Sequence, residues 1–193
     1  MKKIIIPIIL LCLPFALFAE INKSEIVNEK VTSPDGNFVF SFRQEKIPGE
    51  GKTMLYNVSY KGKTVLDNSK IGVEINNRTF ESALAVPHDS CKTWCDNMSF
   101  TGVERICKDT IWHPAYGEWS SIRDHYNSMT LRFMKGNSQD SGEPFDKMKC
   151  YYMNIEVRAY NEGIAFRYTF PETSNGLFLH LTDELTTFCF EPG

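Results

Sequence analysis

The sequence lacks the signatures of the common catalytic sites. It has no G-x-S-x-G nucleophile turn, no H-E-x-x-H zinc pair, no phosphate-binding loop and no G-x-G-x-x-G dinucleotide turn. Histidine is scarce, with four in 193 residues, and the four are scattered. His125 follows Asp124, but neighbours on an extended chain point to opposite sides, so Asp124 is not placed to orient the ring. There is no excess of positive charge. Lys and Arg number 21 against 24 Asp and Glu, a net charge of −3, and this argues against a nucleic-acid partner. No apolar run beyond residue 18 approaches the ~20 residues that span a bilayer. No internal repeat is present, which excludes a propeller or solenoid. What remains is a globular composition, 42% hydrophobic, 13% aromatic and 23% charged, at the length of one domain or at most two.

The N-terminus reads as a leader. Lys2 and Lys3 precede an apolar run from Ile4 to Phe18, broken only by Pro7 and Pro14, and the small residue Ala19 ends it. This order of charge, apolar stretch and small residue marks a secretory signal over residues 1–19, with residues 20–193 as the mature domain. The mature chain is therefore expected to be exported, with the periplasm as its compartment and no membrane contact after cleavage. Of the six cysteines, Cys12 belongs to the leader. Cys91, Cys95, Cys107, Cys150 and Cys189 remain, an odd number that leaves at least one thiol free if all bonds are internal. Disulfides are the expectation in an oxidising compartment, and a bridge within the cluster Cys91, Cys95 and Cys107 is predicted. Zinc fits poorly, because no second matching pair exists and His88 and His113 have no zinc-finger spacing.

Beyond the leader, period-two alternation dominates. Ser33-Pro34-Asp35-Gly36 is a turn, and Asn37–Phe42 places Phe38, Phe40 and Phe42 on one face. Strands follow at Leu55–Tyr60, Thr64–Leu66 across a turn at Lys61-Gly62-Lys63, and Ile71–Ile75. Residues 76–100 are irregular, and Ser99–Ile106 reads as a further strand. Met129–Met134 alternates, and Gly136–Pro144 is a polar loop. Tyr151–Tyr160 turns at Asn161-Glu162-Gly163 into Ile164–Phe170. Leu177–Leu181 and Leu185–Phe190 close the chain. Nine or ten short strands without a long helix predict an all-β antiparallel sandwich of two packed sheets, a β-super-sandwich filled largely by fourteen Phe.

Two local groups of residues could carry function. The run Trp112 to Asn127 holds Tyr116, Glu118, Trp119, Arg123, Asp124, His125, Tyr126 and Asn127. One reading is a sugar-facing surface, with aromatic faces on pyranose rings and planar Arg and Asp groups on hydroxyls. The other is a structural corner, with the aromatics in the core and Arg123 paired to Asp124 or Glu118. The second group is Asp183-Glu184. On a strand these carboxylates face opposite sides, so they form no acid/base pair, but one of them suits a hard cation such as calcium. Alternatively, it simply ends a turn.

Taken in order, several of these words form a pattern. Ser33-Pro34-Asp35-Gly36 leads to Tyr56-x-Val58-x-Tyr60-Lys61-Gly62-Lys63. Tyr116-Gly117-Glu118 and Ile122-Arg123-Asp124-His125-Tyr126-Asn127 come next. Arg158-Ala159-Tyr160-Asn161-Glu162-Gly163-Ile164-Ala165-Phe166-Arg167-Tyr168 and Asp183-Glu184-x-Thr186-x-Phe188 complete the set. The ordered set resembles the N-terminal domain of glycoside hydrolase family 97, exported bacterial α-glucosidases and α-galactosidases. The resemblance implies a β-super-sandwich that packs on a catalytic (β/α)8 barrel and completes its active-site pocket around an oligosaccharide. It implies Tyr116, Glu118, Arg123, Asp124, His125, Tyr126 and Asn127 as pocket or barrel-interface residues. It also implies one glutamate beside a calcium ion, Glu184 with Glu172 in reserve, and that calcium requires the barrel. The chain ends at Gly193, where the barrel would begin. A glycosidase needs two carboxyl groups about 5–10 Å apart. No catalytic residue is therefore assigned, and the module is expected to be inactive alone. The alternative is a stand-alone sandwich that binds a glycan or a protein.

Overall fold

The computed structural model describes residues 27–49, 51–83, 93–136, 146, 150–171 and 179–191. The predicted leader at 1–19, Cys91, Glu172 and most of the loop read at Gly136–Pro144 lie outside these residues. Ten strands and one short helix follow in the order β1 (Val27–Thr32), β2 (Phe38–Ile47), β3 (Gly51–Tyr60), β4 (Lys63–Lys70), β5 (Val73–Ile75), α1 (Arg78–Ala83), β6 (Ser99–Trp112), β7 (Ile122–Gly136), β8 (Cys150–Tyr160), β9 (Ile164–Thr169) and β10 (Leu181–Glu184). One four-stranded antiparallel sheet runs β1-β2-β3-β4 and a second runs β6-β7-β8-β9, while β5 and β10 pair as a small ribbon. The all-β sandwich read from the alternation is the fold.

The alternating residues meet where expected. Phe40, Phe42 and Tyr56 of the first sheet face Met129, Leu131 and Phe133 of β7 and Met153, Ile155 and Val157 of β8, all at most 1% exposed. Rings bridge the two sheets. Phe42 and Phe133 lie 5.6 Å apart, Tyr56 and Phe166 5.7 Å, and Phe40 and Phe166 6.4 Å. The turn before β2 is fixed by its own polar groups. Gly36 sits at φ +79° and its N–H donates to the Ser33 carbonyl at 2.9 Å. Asp35 Oδ1 accepts from the Ser33 hydroxyl at 2.5 Å and from Asn37 N–H at 3.0 Å, and these donors hold its carboxyl below the usual aspartate range.

Three findings depart from the sequence expectations. First, β6 runs on to Trp112 and β7 starts at Ile122, well past the alternating segments. Second, Leu185–Phe190 is not a regular strand. It runs beside β4 as a strap, with Thr187 N–H donating to the Lys70 carbonyl (3.0 Å), Asp67 N–H to the Cys189 carbonyl (2.9 Å) and Cys189 N–H to Ser69 Oγ (2.9 Å). Asn68 at φ +49° twists β4 out of register there, so side chains replace part of the ladder. Third, Cys95, Cys107 and Cys189 are free thiols. Cys95 is packed in the core while Cys107 lies on an exposed strand, so no bridge joins these two; Cys91, the third member of the predicted cluster, lies outside the described residues.

Candidate functional site

β6 and β7 pair from Ser99↔Met134 to Trp112↔Ile122, but β8 ends opposite Tyr126 at Tyr160. The pairs Asp109↔His125, Thr110↔Asp124, Ile111↔Arg123 and Trp112↔Ile122 therefore overhang the sheet as a two-stranded arm, on the order of 13 Å long at strand rise. Residues 113–121 cap it as a loop, tied by His113 Nδ1 donating to the Ser120 carbonyl at 2.8 Å. Ile111, Trp112, Tyr116 and Trp119 are all exposed, Tyr116 at 91% and Trp119 at 71%. These aromatics are not in the core.

The arm separates the residues that sequence reading grouped. Tyr116 and Glu118 lie exposed on the loop. Arg123, His125 and Asn127 continue the parity of Met129, Leu131 and Phe133, the core-facing side. Arg123 is held by neither Asp124 nor Glu118. Its Nε and Nη2 donate to the two carboxylate oxygens of Asp109, both at 2.7 Å, which lowers the Asp109 carboxyl and raises the guanidinium. Asn127 Nδ2 donates to the Thr32 carbonyl at 2.8 Å and so ties the second sheet to the end of β1.

Asp124 and Tyr126 face outward. Asp124 accepts from Lys108 Nζ at 2.8 Å and from the Tyr160 hydroxyl at 3.4 Å. Tyr126 is only 6% exposed because cations and a ring cover it. Arg158 lies 4.7 Å and Lys108 5.7 Å from its centroid, with Tyr160 at 5.1 Å. Glu156 bonds Arg158 Nε and Arg167 Nε, each at 2.8 Å. Sequence reading missed the partners Lys108, Asp109, Arg158 and Tyr160 in this network. Arg158 and Tyr160 share a strand face by alternation, which was a usable signal; their link to Tyr126 needs the register.

Glu156 supplies a pH test. Burial pushes its carboxyl up, but Arg167 and Arg158 outweigh burial and leave it below 4.5. A depressed folded value stabilises the fold above 4.5, and that contribution is lost as pH falls through the lowered value. Glu156→Gln is expected to flatten this part of the acid limb in urea unfolding measured against pH.

Glu184 ends β10, exposed, with its N–H donating to Asp183 Oδ1 at 2.8 Å. Nearby Glu74 already accepts from Trp94 N–H at 3.0 Å. Among the described residues no three His, Cys, Asp or Glu side chains cluster to hold a metal. Calcium takes six to eight oxygens. Glu184 is a donor of the right hardness but supplies only a part of such a set.

The described residues thus form an antiparallel sandwich with an aromatic-tipped arm at one end. The family pattern "Glycosyl-hydrolase 97 N-terminal" matches residues 31–193, and the chain belongs to that family. It is similar to a retaining alpha-galactosidase of Bacteroides thetaiotaomicron, 27% identical over 190 residues, which covers 98% of this chain and 22% of that protein. A glycoside hydrolase family 97 enzyme of Pseudoalteromonas sp. strain K8, solved with panose and with acarbose, superposes at TM-score 0.61 and 25% identity over 84% of this chain and 20% of the enzyme. A beta-arabinopyranosidase shares the fold at TM-score 0.60 and 20% identity. The chain spans about a fifth of the length of these relatives.

Proposed function

We propose that this chain is the N-terminal sandwich of a family 97-like exo-α-glycosidase, completing the substrate pocket of a catalytic (β/α)8 barrel and inactive without it. The supporting observation is a shared end. The turns at 33–36, 60–63 and 160–163 lie together, since Lys61 N–H donates to the Asn37 carbonyl at 2.8 Å and Asp35 N–H to Asn161 Oδ1 at 3.0 Å. The arm projects past this end. The strap reaches it too, with Phe190 opposite Leu66 and Glu191 N–H bonded to the Val65 carbonyl. Exposed Trp112, Tyr116, Trp119 and Phe190 therefore mark one end of the sandwich as the docking face. The rings of Tyr116 and Trp119 are also open enough to stack on an oligosaccharide at the pocket rim.

Glu184 lies at the other end of the strap from Phe190, so under this reading the barrel also reaches along the strap, where Glu184 contributes one carboxylate to a calcium site whose other oxygens come from the barrel. The leader-like residues 1–19 support export of this assembly from the cytoplasm; no helix among the described residues is long and apolar enough to cross a membrane.

Purified chain incubated with aryl α-glucosides and α-galactosides plus calcium is expected to show no turnover above background. Mixed with a family 97 barrel stripped of its own N-terminal domain, it should form a complex that Trp119→Ala weakens. Turnover by the chain alone that depends on one of its own carboxylates would overturn the proposal, as would failure to bind the barrel.

A further inference from the structure

We propose that two copies of this chain join through β6, running antiparallel about Cys107, and that the two Cys107 thiols are oxidised to an intermolecular disulfide. Among the described residues β6 is the edge of its sheet, 14 residues long and paired only with β7. Its free edge offers unpaired N–H and carbonyl groups along its length, together with exposed Ile106, Ile111 and Trp112. Natural edges of this length are usually shortened, bulged or covered. This one is bulged only near Gly102.

The sequence of β6 is complementary to itself in one register. A two-fold axis normal to the sheet keeps each face on its own side, so the axis passes through a residue. Centred on Lys108 or Arg105, the pairing sets like charges against each other. Centred on Ile106, it matches Glu104 with Lys108 but leaves Asp109 against Val103. Centred on Cys107, it sets Arg105 opposite Asp109 twice and Val103 opposite Ile111 twice. Trp112 then lies over Gly102 of the second copy, where a Cβ would meet nothing within 4 Å, so the indole has room. Arg105 already bonds Glu29, and Asp109 already bonds Arg123. The pairing joins these into rows of alternating charge across the axis.

The same register makes the bond. Opposed residues of antiparallel strands stand about 4.5–5.5 Å apart at Cα, inside the roughly 4.4–6.8 Å range of disulfides. Cys107 is exposed and free. The oxidant is a low-molecular-weight disulfide. One Cys107 thiolate attacks it and releases one small thiol; the second Cys107 thiolate then attacks the mixed disulfide and releases the other. Two protein protons end on the two small thiols. Tyr116, Trp119 and Phe190 lie beyond the paired segment and stay open to a barrel, while Trp112 is shared between the two surfaces.

The purified chain, treated with glutathione disulfide and run on a non-reducing gel, tests this. Wild type and Cys189→Ser are expected to give a band at twice the monomer mass, and Cys107→Ser none. Tryptic mass spectrometry should find the Cys107 peptide joined to itself. Under reducing conditions, sedimentation should show Asp109→Arg weakening self-association at least ~10-fold, about 1.4 kcal/mol. Arg105→Asp with Asp109→Arg should restore it. A chain that stays monomeric under glutathione disulfide overturns the proposal. So does a covalent dimer that survives Cys107→Ser. A Cys107 link indifferent to the charge reversal overturns the strand pairing.

Discussion

Phe133→Ala is expected to cost about 3–5 kcal/mol of folding stability. Phe133 sits on β7, a central strand, 1% exposed. Its ring meets Phe42 of the opposite sheet at 5.6 Å and Phe100 of β6 at 5.7 Å. Truncation removes the transfer energy of the ring and leaves a cavity between two sheets, which cannot collapse without shifting both ladders. For a chain of this size the loss lowers the melting temperature by roughly 6–20 °C. Urea unfolding followed by tryptophan fluorescence should show a lower midpoint at unchanged slope. Tyr116→Ala, which removes an exposed ring of the arm, should stay within about 0.5 kcal/mol of wild type. A reversal of these two results would mean that the sandwich interior and the arm have been assigned the wrong way round.

That contrast also explains what the sequence could reveal. Phe38-Phe40-Phe42, Met129-Leu131-Phe133 and Tyr151-Met153-Ile155-Val157 alternate because one face of each strand is buried, so period two was visible. The outer half of β6 has both faces in solvent. Ile106 to Trp112 therefore carries no alternation, and the strand exists only through its ladder with β7. Arg123 shows the same limit. Its partner Asp109 is 14 residues away and sits diagonally across the hairpin. Local reading offered Asp124 and Glu118, because the register that selects Asp109 is set by the whole arm. The strap was read as a strand from Leu185, Phe188 and Phe190, but its bonds go to Ser69 Oγ and to a twisted β4. Glu184 was legible as a hard oxygen donor. Among the described residues no group of three His, Cys, Asp or Glu side chains forms around it.

Tyr168→Phe should lower stability by about 1–3 kcal/mol and loosen the segment that carries Glu184. The Tyr168 hydroxyl accepts from Gly72 N–H at 2.8 Å and shares a 2.6 Å hydrogen bond with Thr186 Oγ1. Gly72 in turn accepts from Leu185 N–H at 3.0 Å, so one hydroxyl joins β9, the start of β5 and the strap. A Cβ on Gly72 would stand 2.4 Å from Cys95 Sγ, so this clasp is built on a residue that must stay small. The phenylalanine keeps the ring and its 6.3 Å contact with Phe166 but leaves the Gly72 N–H without its partner. Amide exchange should quicken at Leu185 and Thr187 by more than at Leu131 and Ile155, because the strap opens before the core does. Alkaline titration gives a second readout. Burial pushes the Tyr168 hydroxyl up to about 12 from an ordinary 10.0. A raised folded value stabilises the fold below the unfolded value and is lost as pH rises through the folded one, here between 10.0 and about 12. Wild type should therefore lose stability across that window, and Tyr168→Phe should lose less. Equal alkaline slopes in the two proteins would show that the hydroxyl is open to water, and the clasp on Glu184's neighbours would then need another origin.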